Sequence, residues 1–331
     1  MRDVAQAAGV STMTVSRVIN GEPSVLPETA ARVERAIRRL GYQRNDAARR
    51  LRREGQPTQT IGVLVDDLAN PFFAALAAAV EVAARLHDYV VLIGSSGNSL
   101  RREREVVAAF CARQVDGLII VPVAGSHRFL RNQLALGTKV VCVDRPADGL
   151  AVDSVLVDNR TGARNAVRHL LGQGHRRIGY LGDREGIWTV QERYAGFRDA
   201  FAEAGTEPEP ELVRHEVRPD RGGAADLTLA LLSLADPPTA LFTSNDLITI
   251  GAIDALAGRA DRIALVGFDE FALADKLTPP VTVVAQDPAA LGATAAQLLF
   301  ARISGDTSPV REVILKTRLV IRGSGEIPPA G

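Results

Sequence analysis

From residue 60 onward, short runs of β-branched and aliphatic residues alternate with longer stretches whose apolar positions recur every three or four residues. Ile61–Val65, Val90–Ile93, Leu118–Val121, Val140–Val143, Val155–Val157, Ile178–Leu181, Leu241–Thr243, Ile263–Val266 and Val281–Val284 read as strands. The spacing predicts helices over 72–86, 100–113, 160–173, 190–204, 227–234, 246–257 and 288–303. Strands that are apolar throughout, each followed by a helix, imply parallel sheets covered on both faces. The strand number fits two six-stranded lobes better than one sheet.

The first fifty-odd residues follow another pattern. Val4, Ala5 and Ala8 make one apolar face and Val15, Val18 and Ile19 a second, with Gly9 between them where a helix must stop. Ser11 is placed to cap the second helix. A third helix runs from Pro27 to Gly41 with Val33, Ile37 and Leu40 on one side, opened by Pro27 and closed by Gly41. Asn45–Arg53 reads as a short basic helix too small to fold alone, followed by a polar linker up to Thr60.

Two short helices joined tightly match the helix-turn-helix, whose second helix lies in the major groove of DNA. The outward side of that helix carries Thr12, Met13, Thr14, Ser16 and Arg17, flanked by Ser11 and Asn20. Arg17 can fork onto guanine O6 and N7, and Thr12 or Met13 can touch a thymine methyl. Taken alone, the pair reads equally as a helical hairpin with a solvated polar side.

Net charge is zero over 331 residues, which by itself says nothing about nucleic acid. Its distribution says more: residues 1–55 hold 11 arginines against six acids, leaving the remainder acidic. A basic amino-terminal module on an acidic body suits one end touching phosphate. Cys111 and Cys142 each sit in an apolar run and are expected as buried free thiols. The opening residues show no signal-peptide pattern and no apolar run reaches membrane-spanning length, so a cytoplasmic protein without a membrane partner is expected. No G-x-G-x-x-G or Walker lysine follows a strand, and no G-x-S-x-G elbow exists. The five histidines form no metal-ligating spacing; His175 is expected to shape a loop before a strand. Neither an enzyme, a metal nor a cofactor is therefore expected.

The run Asp3-Val-Ala…Ala-Gly-Val-Ser…Thr-Val-Ser-Arg-Val-Ile-Asn20, then Leu40-Gly-Tyr and Ala48-Arg-Arg-Leu51, resembles the lac repressor family of bacterial transcription regulators. The likeness continues through Asp66-Asp-Leu-Ala-Asn-Pro-Phe-Phe73, Val143-Asp-Arg-Pro146, Arg193-Tyr-Ala-Gly-Phe197, Ser244-Asn-Asp246 and Val266-Gly-Phe-Asp269. Three positions depart from the family pattern. Relatives have residues ahead of Asp3 that include a capping Thr, so either the start lies further upstream or the first helix begins uncapped. Leu26 stands where a cap is usual, and Gln43-Arg44 where a Pro is usual.

The resemblance implies an α/β protein: an all-α helix-turn-helix headpiece (1–54, hinge helix 45–53), then a two-lobed, doubly wound core like a periplasmic binding protein (60–331). By analogy the chain crosses between lobes near Asp158, Gln286 and Leu319. The N-terminal lobe is then 60–157 plus 287–318, and the C-terminal lobe 158–286 plus 319–331. In the hinge, Leu51 beside Ala48 takes the position of a minor-groove wedge, with Asn45, Arg49 and Arg52 on the DNA as well. Ligands of open α/β sheets bind beyond the carboxyl ends of strands, and the resemblance assigns effector contacts there. They are Asp66, Phe72, Phe73, Asp144 or Arg145, Arg193, Asn245, Asp269 and Gln286. Trp188 joins them as a ligand platform or stands as a lobe-edge aromatic, and Arg218 hints at an acidic sugar. The implied protein is a homodimeric repressor on a near-palindromic double-stranded operator, released by a sugar-like effector. A purine-type corepressor-dependent repressor and a metabolite-binding protein without regulation are the alternatives.

Overall fold

Two units make up the chain, Met1–Pro57 and Thr58–Gly331. The computed structural model describes residues 1–19, 22, 24–41, 57–215, 221–258, 260 and 262–329. The hinge helix expected over 45–53 lies outside the described residues.

In the first unit, helices α1 (Arg2–Ala8), α2 (Thr12–Ile19) and α3 (Pro27–Leu40) close around Val4, Ala5, Ala8, Val15, Val33 and Ala36. Gly9 takes a left-handed conformation, φ 64° and ψ 40°, that a side chain would strain. It donates its N–H to Gln6, while Val10 donates to Ala5, so two carbonyls at the end of α1 are satisfied. Ser11 Oγ then accepts the Thr14 N–H at 3.0 Å and starts α2. Neither Met1 nor Leu26 makes a side-chain cap at α1 or α3. Leu40 departs from expectation: it is exposed, and Ala36 takes its place in the core, because α3 turns its last residue past the apolar stripe.

In the second unit, β1 (Thr60–Val65), β2 (Val90–Ser95), β3 (Gly117–Ile120), β4 (Lys139–Val143), β5 (Asp153–Val157) and β11 (Glu312–Leu315) form one sheet, ordered β11-β5-β4-β3-β1-β2. The second sheet, ordered β12-β10-β9-β8-β6-β7, contains β6 (Ile178–Leu181), β7 (Val213–Arg214), β8 (Ala240–Thr243), β9 (Ala264–Phe268), β10 (Thr282–Ala285) and β12 (Arg318–Val320). Every pairing is parallel except β10 with β12.

Helices cover both faces of each sheet. Ile61, Val63 and Val65 face α4 (Pro71–Leu86) and the helix Pro288–Ile303, while Leu64 faces α5 (Leu100–Ala112). A short helix, α6 (Arg131–Ala135), follows. In the second lobe, Ile178 and Tyr180 pack on α7 (Asn159–Gly172) and α8 (Trp188–Glu203). Leu181 and Leu241 pack on α9 (Arg221–Leu232) and α10 (Asp246–Ala255), and Pro288–Ile303 is α11.

Three strands were not legible in the pattern, β7, β11 and β12, and all lie at or beside a sheet edge, where half-exposed alternation with charges replaces an apolar run. The chain crosses between lobes at Asp158, at Gln286–Asp287 and at Lys316–Thr317. The last crossing precedes Leu319: Arg318 already pairs with Ala285 in the second sheet, so the N-terminal lobe ends before 318. Asp158 Oδ1 accepts from both the N–H and the hydroxyl of Thr317 at 2.7 Å, bracing the first crossing against the third. Cys142 is buried and Cys111 half-buried, both free; Cys111 lies in the last turn of α5, next to its final residue Ala112, so the expected full burial does not hold there. No helix among the described residues is long and apolar enough to cross a membrane.

Candidate functional site

The carboxyl ends of the strands in both lobes open onto one cleft, with a cavity of about 210 Å³. Asp66 follows β1, Asp144 and Arg145 follow β4, and Asp183 lies just past β6; Ser244 and Asn245 follow β8, Asp269 follows β9 and Gln286 follows β10. Parallel strands make this arrangement unavoidable, because each parallel strand in a lobe presents its last residue to the same side. Asp144 and Asp269 hold corresponding places in the two lobes, and both adopt positive φ, 69° and 76°. Such strain is retained where the turn must aim a side chain into a site.

Two guanidinium groups hold the acidic floor together. Arg145 Nη2 donates to Asp66 at 2.9 Å, and its Nε lies 3.4 Å from Asp144. Arg193, on α8, donates from Nε to Asn159 at 2.8 Å and from Nη1 to the Ser244 carbonyl at 2.5 Å. It approaches Asp269 at 3.5 Å and lies over the Phe268 ring at 3.7 Å. Gln286 Nε2 donates to Asp269 at 2.5 Å, which turns its Oε1 away from that carboxylate. Across the cleft, Asn70 caps α4 through the Phe72 N–H at 2.8 Å and donates from Nδ2 to Asp246 at 3.2 Å. That hydrogen bond joins the first turns of two helices in opposite lobes.

Burial acts on the acids that remain. It raises the carboxyls of Asp144 and Asp183 above the usual range against the pull of nearby guanidinium groups. Asp246 is pushed up to about 6, first by burial and then by the charge of Asp269. Phe72 and Phe73 meet edge to face, centroids 5.1 Å apart, and supply an apolar wall. Among the described residues no grouping of His, Cys, Asp and Glu could hold a metal. His175 is buried behind β6, bonded to Thr239 and the Ile327 carbonyl, far from acid–base duty in the cleft.

The cleft brings together Asp66, Phe72, Phe73, Asp144, Arg145, Arg193, Asn245, Asp269 and Gln286. It does not include Trp188. That residue opens α8, and a helix rotates about 100° per residue, so Thr189, Val190 and Arg193 face the cavity while Trp188 turns to the adjoining side. Sequence reasoning missed Asn70, Asp183, Thr189, Ser244 and Asp246. Asp183 was findable, since it too stands just after a strand. Arg218 lies outside the described residues.

On the headpiece, Ser11, Thr12, Met13 and Arg17 are exposed, Met13 at 65%, while Thr14 and Ser16 are half-buried on the flank. Arg17 Nε lies 3.6 Å from Glu22, a weak exposed pair that leaves the guanidinium free to be recruited. Asn20, Asn45, Ala48, Arg49, Leu51 and Arg52 lie outside the described residues.

Residues 1–45 match bacterial regulatory proteins of the lacI family, and residues 167–325 match the periplasmic binding protein-like domain. The ribose operon repressor of Haemophilus influenzae is 33% identical over 98% of both chains. The transcriptional repressor CytR of Escherichia coli K12 is 31% identical, covering 99% of this chain and 97% of that one. Among solved structures, the lac repressor dimer bound to operator and the anti-inducer ONPF aligns over 99% of this chain and 98% of its own. Its TM-score is 0.83 and its identity 26%. A transcriptional regulator CelR in complex with cellobiose aligns over 97% and 98%, with TM-score 0.73 and 30% identity. With its Schellman-terminated first helix, exposed second helix and two parallel-rich lobes, the chain belongs to the lacI family of bacterial regulatory proteins, a helix-turn-helix DNA-binding module joined to a periplasmic-binding-protein-like core.

Proposed function

We propose that the chain is a homodimeric repressor of a carbohydrate-utilisation operon that binds a near-palindromic operator and releases it when a sugar-like effector occupies the cleft. The observation that carries this reading is the cleft itself. Carboxylates, guanidinium groups and amides converge there beside Phe72 and Phe73 between two lobes, the mixture that grips hydroxyls and an apolar ring face together. Relatives named for sugar operons, including the ribose operon repressor, support the same reading. Arg17, with Thr12 and Met13, reads base edges; Arg49 and Arg52 contact phosphate; Leu51 wedges the minor groove between hinge helices of the two protomers.

An effector that contacts both lobes favours one closure state, and its leverage on the operator equals its difference in affinity for the two states. The Asn70–Asp246 hydrogen bond links the two lobes across the cleft and the Asp158–Thr317 brace joins two of the crossings, so a change of closure would strain both. The test is selection of genomic duplexes by the full chain, followed by fluorescence anisotropy on an enriched duplex. A near-palindromic site, bound with affinity that falls steeply with salt, is expected. Arg17→Ala should weaken that site by about 10–100-fold while leaving random-sequence binding nearly unchanged, given ~1–3 kcal/mol for a bidentate base contact. Failure to enrich any duplex over random sequence would overturn the proposal.

A further inference from the structure

We infer that Glu103 and His127, a buried pair in the N-terminal lobe, are positioning residues that fix the loops after β3 and β4 and so set where Asp144 and Arg145 stand; this rests on the effector reading of the cleft above. Neither residue lines the cavity. Glu103 is 0% exposed and His127 1%. Glu103 shares the inward face of α5 with Val107 and Phe110, which belong to an apolar cluster. Among the described residues its ion-pair partner is His127 alone, at 3.0 Å, with no lysine or arginine beside it. A carboxylate in such a place is costly, and an apolar pair of the same volume would cost less. What the polar pair adds is direction.

The hydrogen bonds assign the tautomer. The Asp148 N–H donates to His127 Nδ1 at 3.2 Å, so Nδ1 carries no proton and the ring proton sits on Nε2, facing Glu103 Oε1. That approach is close but off the line of a hydrogen bond, so the carboxylate holds the ring by attraction to its N–H dipole. The second carboxylate oxygen accepts the Val123 N–H at 2.7 Å, three residues past β3. The His127 N–H in turn donates to the Asp148 carbonyl at 3.0 Å, and Ser126 pairs with Asp148 as a parallel bridge. The loop after β3 is thereby zipped to the loop after β4, three residues beyond Arg145. The same loop reaches the other lobe: a Cβ at Gly186 would lie 3.8 Å from that of Ala124, and Gly186 follows Asp183 and Arg184 of the cleft. Glu103 is also felt on β4, where burial first and its charge second push the Cys142 thiol up to about 12.

The test separates the two bonds of the imidazole, since an Asn amide can stand in for Nδ1 and a Gln amide for Nε2. The full chain and three variants are compared by thermal unfolding, by amide hydrogen exchange read by mass spectrometry, and by calorimetric titration with ribose, glucose, galactose and cellobiose. His127→Asn leaves Glu103 without a donor and should have the lowest Tm. It keeps an acceptor for Asp148, so exchange over 144–149 should stay within twofold of the wild-type chain. His127→Gln keeps the donor to Glu103 and more of the Tm, but loses the acceptor, so the same segment should exchange at least fivefold faster. Glu103→Gln has one oxygen for two donors; with that oxygen on Val123, its NH2 drives His127 to the other tautomer, and the segment should loosen as in His127→Gln. The tightest-binding sugar should lose at least fivefold affinity in both Gln variants and less than twofold in His127→Asn. Exchange that ranks with Tm, fastest in His127→Asn, overturns the inference and leaves the pair a plain stability element. So does a sugar that binds the wild-type chain and both Gln variants alike. If none of the four sugars binds the wild-type chain, the effector reading loses its support, while the exchange ranking still decides the positioning.

Discussion

Asp246 is 2% exposed, faces the cleft beside Asp269, and accepts hydrogen bonds from Asn70 and its own helix. Burial without a cationic partner makes its charge costly. The folded value of about 6 lies above the 3.8 of a free aspartate, so the folded chain binds the extra proton between those pH values. Stability from that proton is present below 3.8 and is lost as pH rises through about 6. Asp246→Asn keeps an acceptor for Asn70 and has no charge to bury. It should raise Tm by a few degrees at pH 7.5, a gain that shrinks to nothing near pH 4. A thermal scan at both pH values checks this, and an equal gain at both would refute the electrostatic origin.

A site that carries a destabilising carboxylate when empty is one a ligand can stabilise by donating to it. At this scale the residues legible from sequence were those directly after strands. Asp66, Asp144, Asn245 and Asp269 follow from the rule that parallel strands end on one side. Arg193 came from a motif, since nothing in its helix periodicity distinguishes a cleft face from a core face. Trp188 shows the limit: its side depends on where α8 begins, a matter of one residue.

Between elements, spacing is set by small residues. A Cβ at Gly196 would stand 2.1 Å from the Arg160 carbonyl and 3.0 Å from Ala163, so α8 reaches α7 only because position 196 has no side chain. Gly196→Ala should therefore cost roughly 1–3 kcal/mol, the usual penalty of overpacking. Gly172, at the end of α7, has nothing within 4 Å of its would-be Cβ. Gly172→Ala should be neutral or stabilise by up to about 1 kcal/mol through reduced freedom of the unfolded chain. Denaturant unfolding of the two variants separates a packing effect from a helix-propensity effect. Arg193 is carried on the same helix, so the Gly196 variant should also weaken effector binding by displacing the guanidinium. Helices and central strands were readable because burial on two faces imposes an apolar run; β7, β11 and β12 were not, because an edge tolerates Glu312 and Arg318.

At the scale of the whole molecule, the headpiece and the core have separate hydrophobic interiors. An effector that binds only the core stabilises it by RT ln(1 + [L]/Kd), about 2.7 kcal/mol at a hundredfold excess over Kd. Calorimetry should show the larger, core transition moving up with ligand while the smaller headpiece transition stays in place. Movement of both together would mean the two units unfold as one.

The amino-acid order by itself determined the division into a basic helical module and two α/β lobes, because periodicity and charge are local and a few residues suffice to set them. It also determined that polar groups would meet beyond the strand ends, since parallel topology forces that geometry. Only the tertiary structure decided which of those groups stay unsatisfied and which are charged at a cost: the free Arg145 nitrogen, the free Gln286 oxygen and the raised Asp246 carboxyl each depend on neighbours from distant segments. Desolvation and hydrogen-bond saturation are properties of a packed environment, and no stretch of chain carries them alone.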